Sequence, residues 1–121
     1  MKIQKHILGI VFCIILTTFS FTIIYAKESN HEKKNRKELN HYTEGLIQWY
    51  LIGDYRAALK EFIVAETYDP FDVELKKSIA NIYFELGNYT QALLKAQDAM
   101  CFTDNDVDLY LLAASSAAAI G

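Results

Sequence analysis

Two stretches of this sequence repeat one another at a distance of thirty-four residues. The stretch GDYRAAL begins at Gly53 and the stretch GNYTQAL begins at Gly87, so that Gly, Tyr, Ala and Leu recur at the same offsets. A further step of the same length reaches Gly121. A fixed period of about 20 to 50 residues is typical of solenoids, in which each small unit buries its apolar face against the next. The period therefore predicts a stack of similar units.

The apolar residues between these glycines follow the periodicity of helices. They fall three or four positions apart in five runs, over residues 39–52, 55–68, 73–86, 89–101 and 107–120. Pro70 ends the second run, because proline has no N–H to continue a helix, and Asp72 stands where a carboxylate would accept the first N–H groups of the next helix. No useful stretch alternates with period two. We predict an all-α fold made of helix pairs.

A helix pair with a period of 34 residues resembles the tetratricopeptide repeat, or TPR. The signature positions of the first unit, residues 39–72, hold Trp49, Gly53, Tyr55, Ala58, Leu59, Phe62, Ala65 and Pro70. Those of the second unit, residues 73–106, hold Ala80, Tyr83, Gly87, Tyr89, Ala92, Leu93, Ala96 and Ala99. Residues 107–121 resemble the first helix of a third unit, with Ala113, Ala114, Ala117 and Ile120 at matching offsets. The resemblance implies a TPR-type helix-turn-helix solenoid of two full repeats and the first helix of a third.

The glycines and one proline position show where this chain follows the TPR pattern and where it departs from it. Gly53 and Gly87 are expected to take the left-handed conformation that ends a helix, which costs other residues free energy. Gly45 precedes Leu46, which reverses the usual order of a large residue followed by glycine. Asp104 stands where the second unit should have a proline.

The first 26 residues are predicted to be a membrane segment. Residues 7–26 carry no charge, and a helix of this length spans about 30 Å, the thickness of the hydrocarbon core of a bilayer. Two interpretations stay open: an uncleaved transmembrane anchor, or a signal peptide that is cut after Ala26 and directs export. We favour the anchor, because the run exceeds a signal core of about 7–15 residues and Ile24 replaces the expected small residue. Both flanks are basic, so the side of the membrane stays undecided.

Charge divides the chain near residue 38. Residues 1–38 hold 7 Lys and Arg against 3 Glu, a net charge of +4, whereas residues 39–121 hold 5 Lys and Arg against 12 Asp and Glu, a net charge of −7. Residues 27–38 lack large apolar side chains and are interpreted as a solvated linker or frayed helix, with lipid headgroups as a second interpretation. The repeat region, 39–121, is too acidic for a nucleic-acid partner, because phosphate binding requires clustered cations.

No set of residues has the pattern of a catalytic or metal site. The three histidines and two cysteines are spread along the chain, at His6, His31, His41, Cys13 and Cys101, without a spacing that suggests a zinc site or an internal disulfide. His41 is expected on the outer edge of the first repeat helix. Three carboxylates are interpreted as parts of solvated helix faces, not as catalytic pairs: Glu61, Glu66 and Asp98. We predict no enzymatic activity and no cofactor.

The TPR resemblance implies a peptide groove lined by the first helix of each pair. Transferred by position, its residues are Asn40, Thr43, Ile47 and Tyr50 from the first unit, Glu74, Lys77, Asn81, Phe84 and Glu85 from the second, and Asp108, Leu111, Ser115 and Ala118 from the third. Lys77 and Asn81 resemble part of the clamp with which chaperone-binding TPR proteins hold a C-terminal carboxylate, but the third unit does not continue it. Apolar residues within an acidic rim suit a basic or amphipathic peptide better.

These features together predict a membrane-tethered TPR adaptor that binds a protein or peptide partner. The alternative is a structural protein that forms homo-oligomers through residues 107–121, or a fragment of a longer TPR array. The last run has no charge after Asp108 and is apolar for a terminal helix. Three explanations stay open for it: the chain belongs to a longer array, the small residues make a tolerable cap, or the face docks on a partner or a second copy.

Overall fold

The computed structural model describes residues 1–121 and contains helices and no strand. Helix α1 spans Lys2–Leu46 and continues into a π-helical turn, Ile47–Ile52. The four helices that follow are α2, Tyr55–Tyr68; α3, Val73–Glu85; α4, Tyr89–Met100; and α5, Val107–Ile120. The predicted all-α fold is confirmed.

The chain divides into two units, Met1–Lys34 and Asn35–Gly121. The first consists of the N-terminal part of α1, whose residues are all exposed. By length and composition α1 could cross a membrane, a test that a signal sequence near the N-terminus also passes. Its hydroxyl side chains donate to carbonyls of the preceding turn, at Thr17, Thr18, Ser20 and Thr22. The helix therefore satisfies these polar groups internally, as a lipid environment requires. Residues 27–38 are also helical.

Capping side chains recur with the period of the sequence. Asp54 begins α2 by accepting hydrogen bonds from two backbone N–H groups, and Asn88 begins α4 at the equivalent position. Asp72 and Asp106 likewise begin α3 and α5, each accepting one N–H at 3.2 Å. Each such cap stabilises a helix by about 1 kcal/mol. The prediction that Asp72 is an N-cap is confirmed.

Left-handed residues end the first helix of each pair. Gly53 has a φ of 79° and Gly87 a φ of 74°, which confirms the sequence prediction. The turn between α4 and α5 lacks the proline of the first unit and uses a left-handed asparagine instead, Asn105, with a φ of 66°. Asparagine tolerates this conformation better than most residues, so the turn forms without proline.

Two buried clusters hold the repeats together, and α3 contributes to both. The first cluster lies between the end of α1, α2 and α3 and contains Ala58, Phe62, Ala65, Leu75, Ile79 and Ile82. The second lies between α3, α4 and α5 and contains Ala80, Ala96, Ala99 and Leu109. Helix α3 packs against α2, α4 and α5, and α4 packs against α5. Each helix thus contacts its neighbours in the order of the chain, which is the architecture of a helical solenoid.

A partly buried ion cluster joins α2, α3 and α4. The Lys76 side chain is only 6% exposed, and its Nζ donates to Glu66 at 2.9 Å and to Asp98 at 2.5 Å. Lys95 Nζ donates to the same Glu66 carboxylate at 2.9 Å, and the Lys76 ammonium lies 5.6 Å from the centre of the Phe102 ring. The interpretation of Glu66 as a solvated carboxylate is therefore wrong, whereas the Asp98 side chain is 46% exposed and also pairs with Lys76. The helices bring cations from other parts of the sequence against them.

The charges in this cluster are held by their partners. Burial works to raise the pKa of Glu66, but hydrogen bonds from Lys95 and Lys76 outweigh it and place the pKa below its ordinary value. Burial likewise works to lower the pKa of Lys76, and the hydrogen bonds to Asp98 and Glu66 raise it overall. Both groups are therefore ionised at neutral pH, and the cluster links α2 to α3 and α4 by charge-assisted hydrogen bonds.

His41 and Glu61 also pair across helices, which corrects two further predictions. The Nδ1 atom of His41 lies 2.7 Å from a carboxylate oxygen of Glu61, and both side chains are partly buried. The His41 ring stacks on Tyr68 with centroids 6.0 Å apart. His41 therefore packs against α2 instead of lying on an outer edge, and Glu61 is not a solvated carboxylate. The sequence could not show this, since the pairing depends on how α2 folds back.

Candidate peptide-binding face

The sequence-predicted groove residues all lie on the first helices of the repeats, namely the end of α1 with its π-helical turn, α3 and α5. The more exposed ones are Asn40, Thr43, Tyr50, Glu74, Glu85, Asp108, Leu111, Ser115 and Ala118. The partly buried ones are Ile47, Lys77, Asn81 and Phe84. Helix α3 contacts α5 directly, so the first helices of the second and third units are neighbours. Whether a peptide binds to these residues stays a prediction.

The cation of the predicted clamp is already neutralised. Lys77 Nζ donates to Glu74 and to Asp106, each at 3.0 Å. The hydrogen bond to Glu74 raises the pKa of Lys77, against a smaller effect of burial, and the hydrogen bond to Asp106 adds to it. In return Lys77, together with the backbone N–H of Leu109, lowers the pKa of Asp106. Two carboxylates therefore surround this one ammonium.

Aromatic side chains behave differently in the two units. Phe84, on α3, is partly buried and packs edge-to-face on Tyr89 with ring centroids 5.1 Å apart. Tyr50, thirty-four residues earlier, is 69% exposed and stacks on its chain neighbour Trp49 at 4.6 Å. Phe84 therefore contributes to packing, whereas Tyr50 presents its ring to the surroundings.

The hydrogen bonds that close the two helices also differ. In the π-helical turn, the N–H of Gly53 donates to Gln48 O, five residues back, and the N–H of Asp54 donates to the same oxygen at 2.9 Å, six residues back. At the equivalent position of the second unit, the N–H of Asn88 donates to Tyr83 O, only five residues back, at 2.8 Å. The first unit thus contains one more residue in this turn than the second.

The extra residue also explains why Gly45 precedes Leu46. Gly45 is buried, and a Cβ added there would lie 2.5 Å from the ring of Phe62. Only glycine fits here without displacing the ring. In the second unit the residue equivalent to Phe62 is Ala96, which shares a buried cluster with Ala80. The first unit therefore packs its two helices with glycine opposite phenylalanine, and the second unit packs them with two alanines.

One signal in the sequence could have revealed this shift. Eight positions separate Gly45 from Gly53, whereas seven separate Ala80 from Gly87. If Gly45 is the small residue at the helix contact, the first unit has one residue too many for a regular α-helix between contact and cap. A π-helical turn absorbs one extra residue while both ends keep their places. The reversed order is thus a shift of register by one position.

The π-helical turn exposes residues that the position-by-position transfer missed. Leu51 is 80% exposed and Ile52 is 61% exposed, directly after Tyr50. Helix α5 also exposes apolar side chains, at Val107, Tyr110, Leu111 and Ile120. No group of three or more His, Cys, Asp or Glu side chains is arranged to hold a metal ion.

No family model matches this sequence, and no curated protein is similar to it. Solved structures do resemble it. The first TPR of Spaghetti (RPAP3), in a structure with the HSP90 peptide SRMEEVD, superposes with a TM-score of 0.64 over 70% of this chain and 68% of that chain, at 20% sequence identity. The fold is that of a TPR solenoid. At this identity the likeness extends to the fold alone.

Proposed function

We propose that this protein is a membrane-anchored TPR adaptor, which holds a basic, amphipathic segment of a partner protein on its first helices. The observation that carries this proposal is the exposure of both apolar and acidic side chains on these helices. Tyr50 and Leu111 are more than half exposed, Asp108 is exposed three residues before Leu111, and Glu85 is exposed on α3. A segment with apolar and basic side chains would complement both.

Electrostatics favour a cationic segment over an acidic one. The repeat region carries a net charge of −7, and Lys77, the one cation among the predicted groove residues, is held between two carboxylates. The similar TPR structure is bound to an HSP90 peptide, SRMEEVD, which contains three acidic residues. We propose the opposite charge preference for this chain, since its first helices offer no cation without a carboxylate partner for such a peptide.

The anchor in this proposal is the apolar part of α1. Residues 7–26 carry no charge, and their threonine and serine hydroxyl groups donate to carbonyls of the same helix. An anchor would hold the repeats near a bilayer. Alkaline carbonate extraction of membranes should leave the full-length chain in the pellet. Recovery of a shortened chain that lacks residues 1–26 would instead show cleavage of a signal peptide.

Peptide binding can be tested with the full-length chain in lipid nanodiscs and two labelled probes. One is a synthetic 18-residue amphipathic helix of Leu and Lys, and the other is SRMEEVD. The first should bind and the second should not. Glu85→Lys should weaken the first at least tenfold, because it places a cation on the binding face. The matched control is Asp104→Lys, which changes the same charge in the exposed turn before α5. Equal losses in both variants would mean that only net charge matters.

A second candidate is self-association, which the exposed side chains of α5 favour. Tyr110 is 55% exposed and Ile120 is 50% exposed. Buried between two copies, such residues would contribute apolar area to an interface. Analytical ultracentrifugation of the full-length chain in detergent, at several protein concentrations, measures this. Under this candidate Tyr110→Lys shifts oligomers toward monomers, whereas a monomer at every concentration rejects it.

A further inference from the structure

The π-helical turn Ile47–Ile52 presents three consecutive apolar side chains that the core does not use. Tyr50, Leu51 and Ile52 are 69%, 80% and 61% exposed. At the equivalent positions of the second unit stand Phe84, which is partly buried, Glu85, which is charged, and Leu86, which is 37% exposed. The surfaces of the two units therefore differ in this turn.

The position of Gly45 requires the π-helical turn, but the repeat does not require the side chains of this turn to be apolar, since Glu85 stands at the position of the second unit that corresponds to Leu51. The second unit ends its first helix without a π-helical turn and still buries its cluster. π-helical turns are rare and occur frequently at functional sites. Three or more consecutive exposed apolar residues are a liability in a folded domain unless they have a function. Both features coincide in residues 47–52.

The turn also has the composition of an energetic centre for binding. Trp49 and Tyr50 stack on one another with centroids 4.6 Å apart, and Trp49 packs against the first buried cluster. A tyrosine held by such a stack loses little conformational entropy when it binds a partner. Tyr and Trp dominate the binding energy of many interfaces for this reason.

We propose that Tyr50 and Leu51 form an apolar docking site that selects the partner segment by a large apolar side chain flanked by Lys or Arg. The flanking charge follows from the acidic neighbours of the turn, because Glu44 and Asp54 are exposed on either side of it in sequence. This inference deepens the proposed function and depends on it. It adds that Tyr50 and Leu51 decide which basic segments bind.

The test uses the full-length chain in nanodiscs, the Leu and Lys helix, and a helix of equal charge in which Ser replaces Leu. Trp49 is the only tryptophan of the chain and reports on the turn directly. The Leu-containing helix should change the Trp49 emission, and the Ser-containing helix should not. Tyr50→Ser and Leu51→Ser should each weaken binding of the Leu-containing helix about tenfold. The matched control is Leu94→Ser, on α4, where the leucine is 54% exposed; it should stay within twofold of the wild type.

The outcomes separate this inference from the proposed function. If Glu85→Lys weakens binding but Tyr50→Ser and Leu51→Ser do not, the first helices bind peptides through their acidic side chains. The proposal that Tyr50 and Leu51 form a docking site is then rejected. If the Leu-containing helix does not bind the wild type at all, the proposed function and the docking site both fail. If Leu51→Ser instead dissociates an oligomer of the chain, the turn contacts a second copy and the docking site for a partner is rejected. Circular dichroism confirms that each variant remains helical.

Discussion

The two complete repeats of this protein solve the same packing problem with different side chains. In the second unit Ala80 and Ala96 lie in one buried cluster, and the first helix closes without an extra residue. In the first unit Phe62 takes the place of Ala96, and Gly45 faces its ring. Because Gly45 lies one position earlier than the period predicts, the backbone needs a π-helical turn to reach the cap. A larger side chain on one helix is thus matched by a smaller one on the other.

The junction between the first and second units also differs from the junction between the second and third. Between the first two units, Glu66 and Lys76 belong to the partly buried ion cluster. Thirty-four residues later the equivalent positions hold Met100 and Tyr110, of which Met100 packs against the second cluster. Equivalent positions of the two junctions therefore lie at the same places in the repeat but carry side chains of different chemistry, charged in one and uncharged in the other. A solenoid tolerates this because each unit needs only to match its immediate neighbours.

Truncation of the largest buried side chain should have the greatest effect on stability. Phe62 is fully buried, and Phe62→Ala should lower the free energy of unfolding by about 3–5 kcal/mol through a cavity. At the equivalent position of the second unit, Ala96→Gly removes no ring and should cost about 1 kcal/mol through helix propensity alone. Urea unfolding of the full-length chain in mild detergent, followed by Trp49 fluorescence, measures both. Equal losses would mean that the two units are not packed differently.

Loss of one member of the ion cluster should rank second. Lys76→Met leaves the carboxylates of Glu66 and Asp98 without their shared cation. The loss should be about 2 kcal/mol, below that of a fully buried pair, because Glu66 keeps Lys95 and the Asp98 side chain is 46% exposed. The double variant Glu66→Met with Lys76→Met imitates the apolar second junction and should recover much of this loss. The same urea measurement compares them. A double variant less stable than the single one would show that the cluster itself is needed.

The same cluster should make the protein sensitive to acid. Because the folded pKa of Glu66 lies below its ordinary value, the unfolded chain binds a proton more readily there. This contribution to stability is complete at pH values above the ordinary pKa of 4.5 and is lost as the pH falls through the folded pKa. Glu66→Gln should therefore lose less stability than the wild type between neutral pH and the acid range. Parallel curves for both proteins, measured by urea unfolding, would contradict this.

A methyl group at Gly45 should have a smaller effect. Gly45→Ala places a Cβ against the Phe62 ring and should destabilise the first unit by about 1–3 kcal/mol, the usual cost of overpacking. Phe62→Leu in the same chain makes room for the methyl group, so the double variant should be more stable than the sum of the single changes predicts. Additive losses would show that the two residues do not face one another.

Removal of the helix caps should cause the smallest losses and should distinguish the units only slightly. Asp54→Ala removes an acceptor for the N–H groups of Arg56 and Ala57, while Asn88→Ala removes one for Gln91 alone, at 3.4 Å. Each change should cost about 1 kcal/mol, with Asp54→Ala the larger. Thermal unfolding of both variants provides the comparison. A greater loss from Asn88→Ala would reverse the assignment of the stronger cap.

Local chemistry made several parts of the structure predictable. The left-handed glycines and the aspartate before α3 are each visible in a short window of sequence, and the period of thirty-four residues is visible when two such windows are compared. The structure has these features where they were expected. The candidate groove residues are predictable only as positions on the first helices. The ion pairing of Lys77 could not be predicted, because its partner Asp106 lies twenty-nine residues away in sequence.

The sequence by itself determined that this chain forms helices, where most of them begin and end, and that they repeat as a TPR solenoid. The start, the end and the periodicity of a helix depend on residues that are close together along the chain, so they can be predicted from the amino-acid sequence. Only the tertiary structure decided that Glu66 and Asp98 share a buried lysine, that His41 packs on Tyr68, and that the ring of Phe62 leaves no room for a side chain at Gly45. Each of these depends on the distance between side chains far apart in sequence, which exists only after the helices have packed.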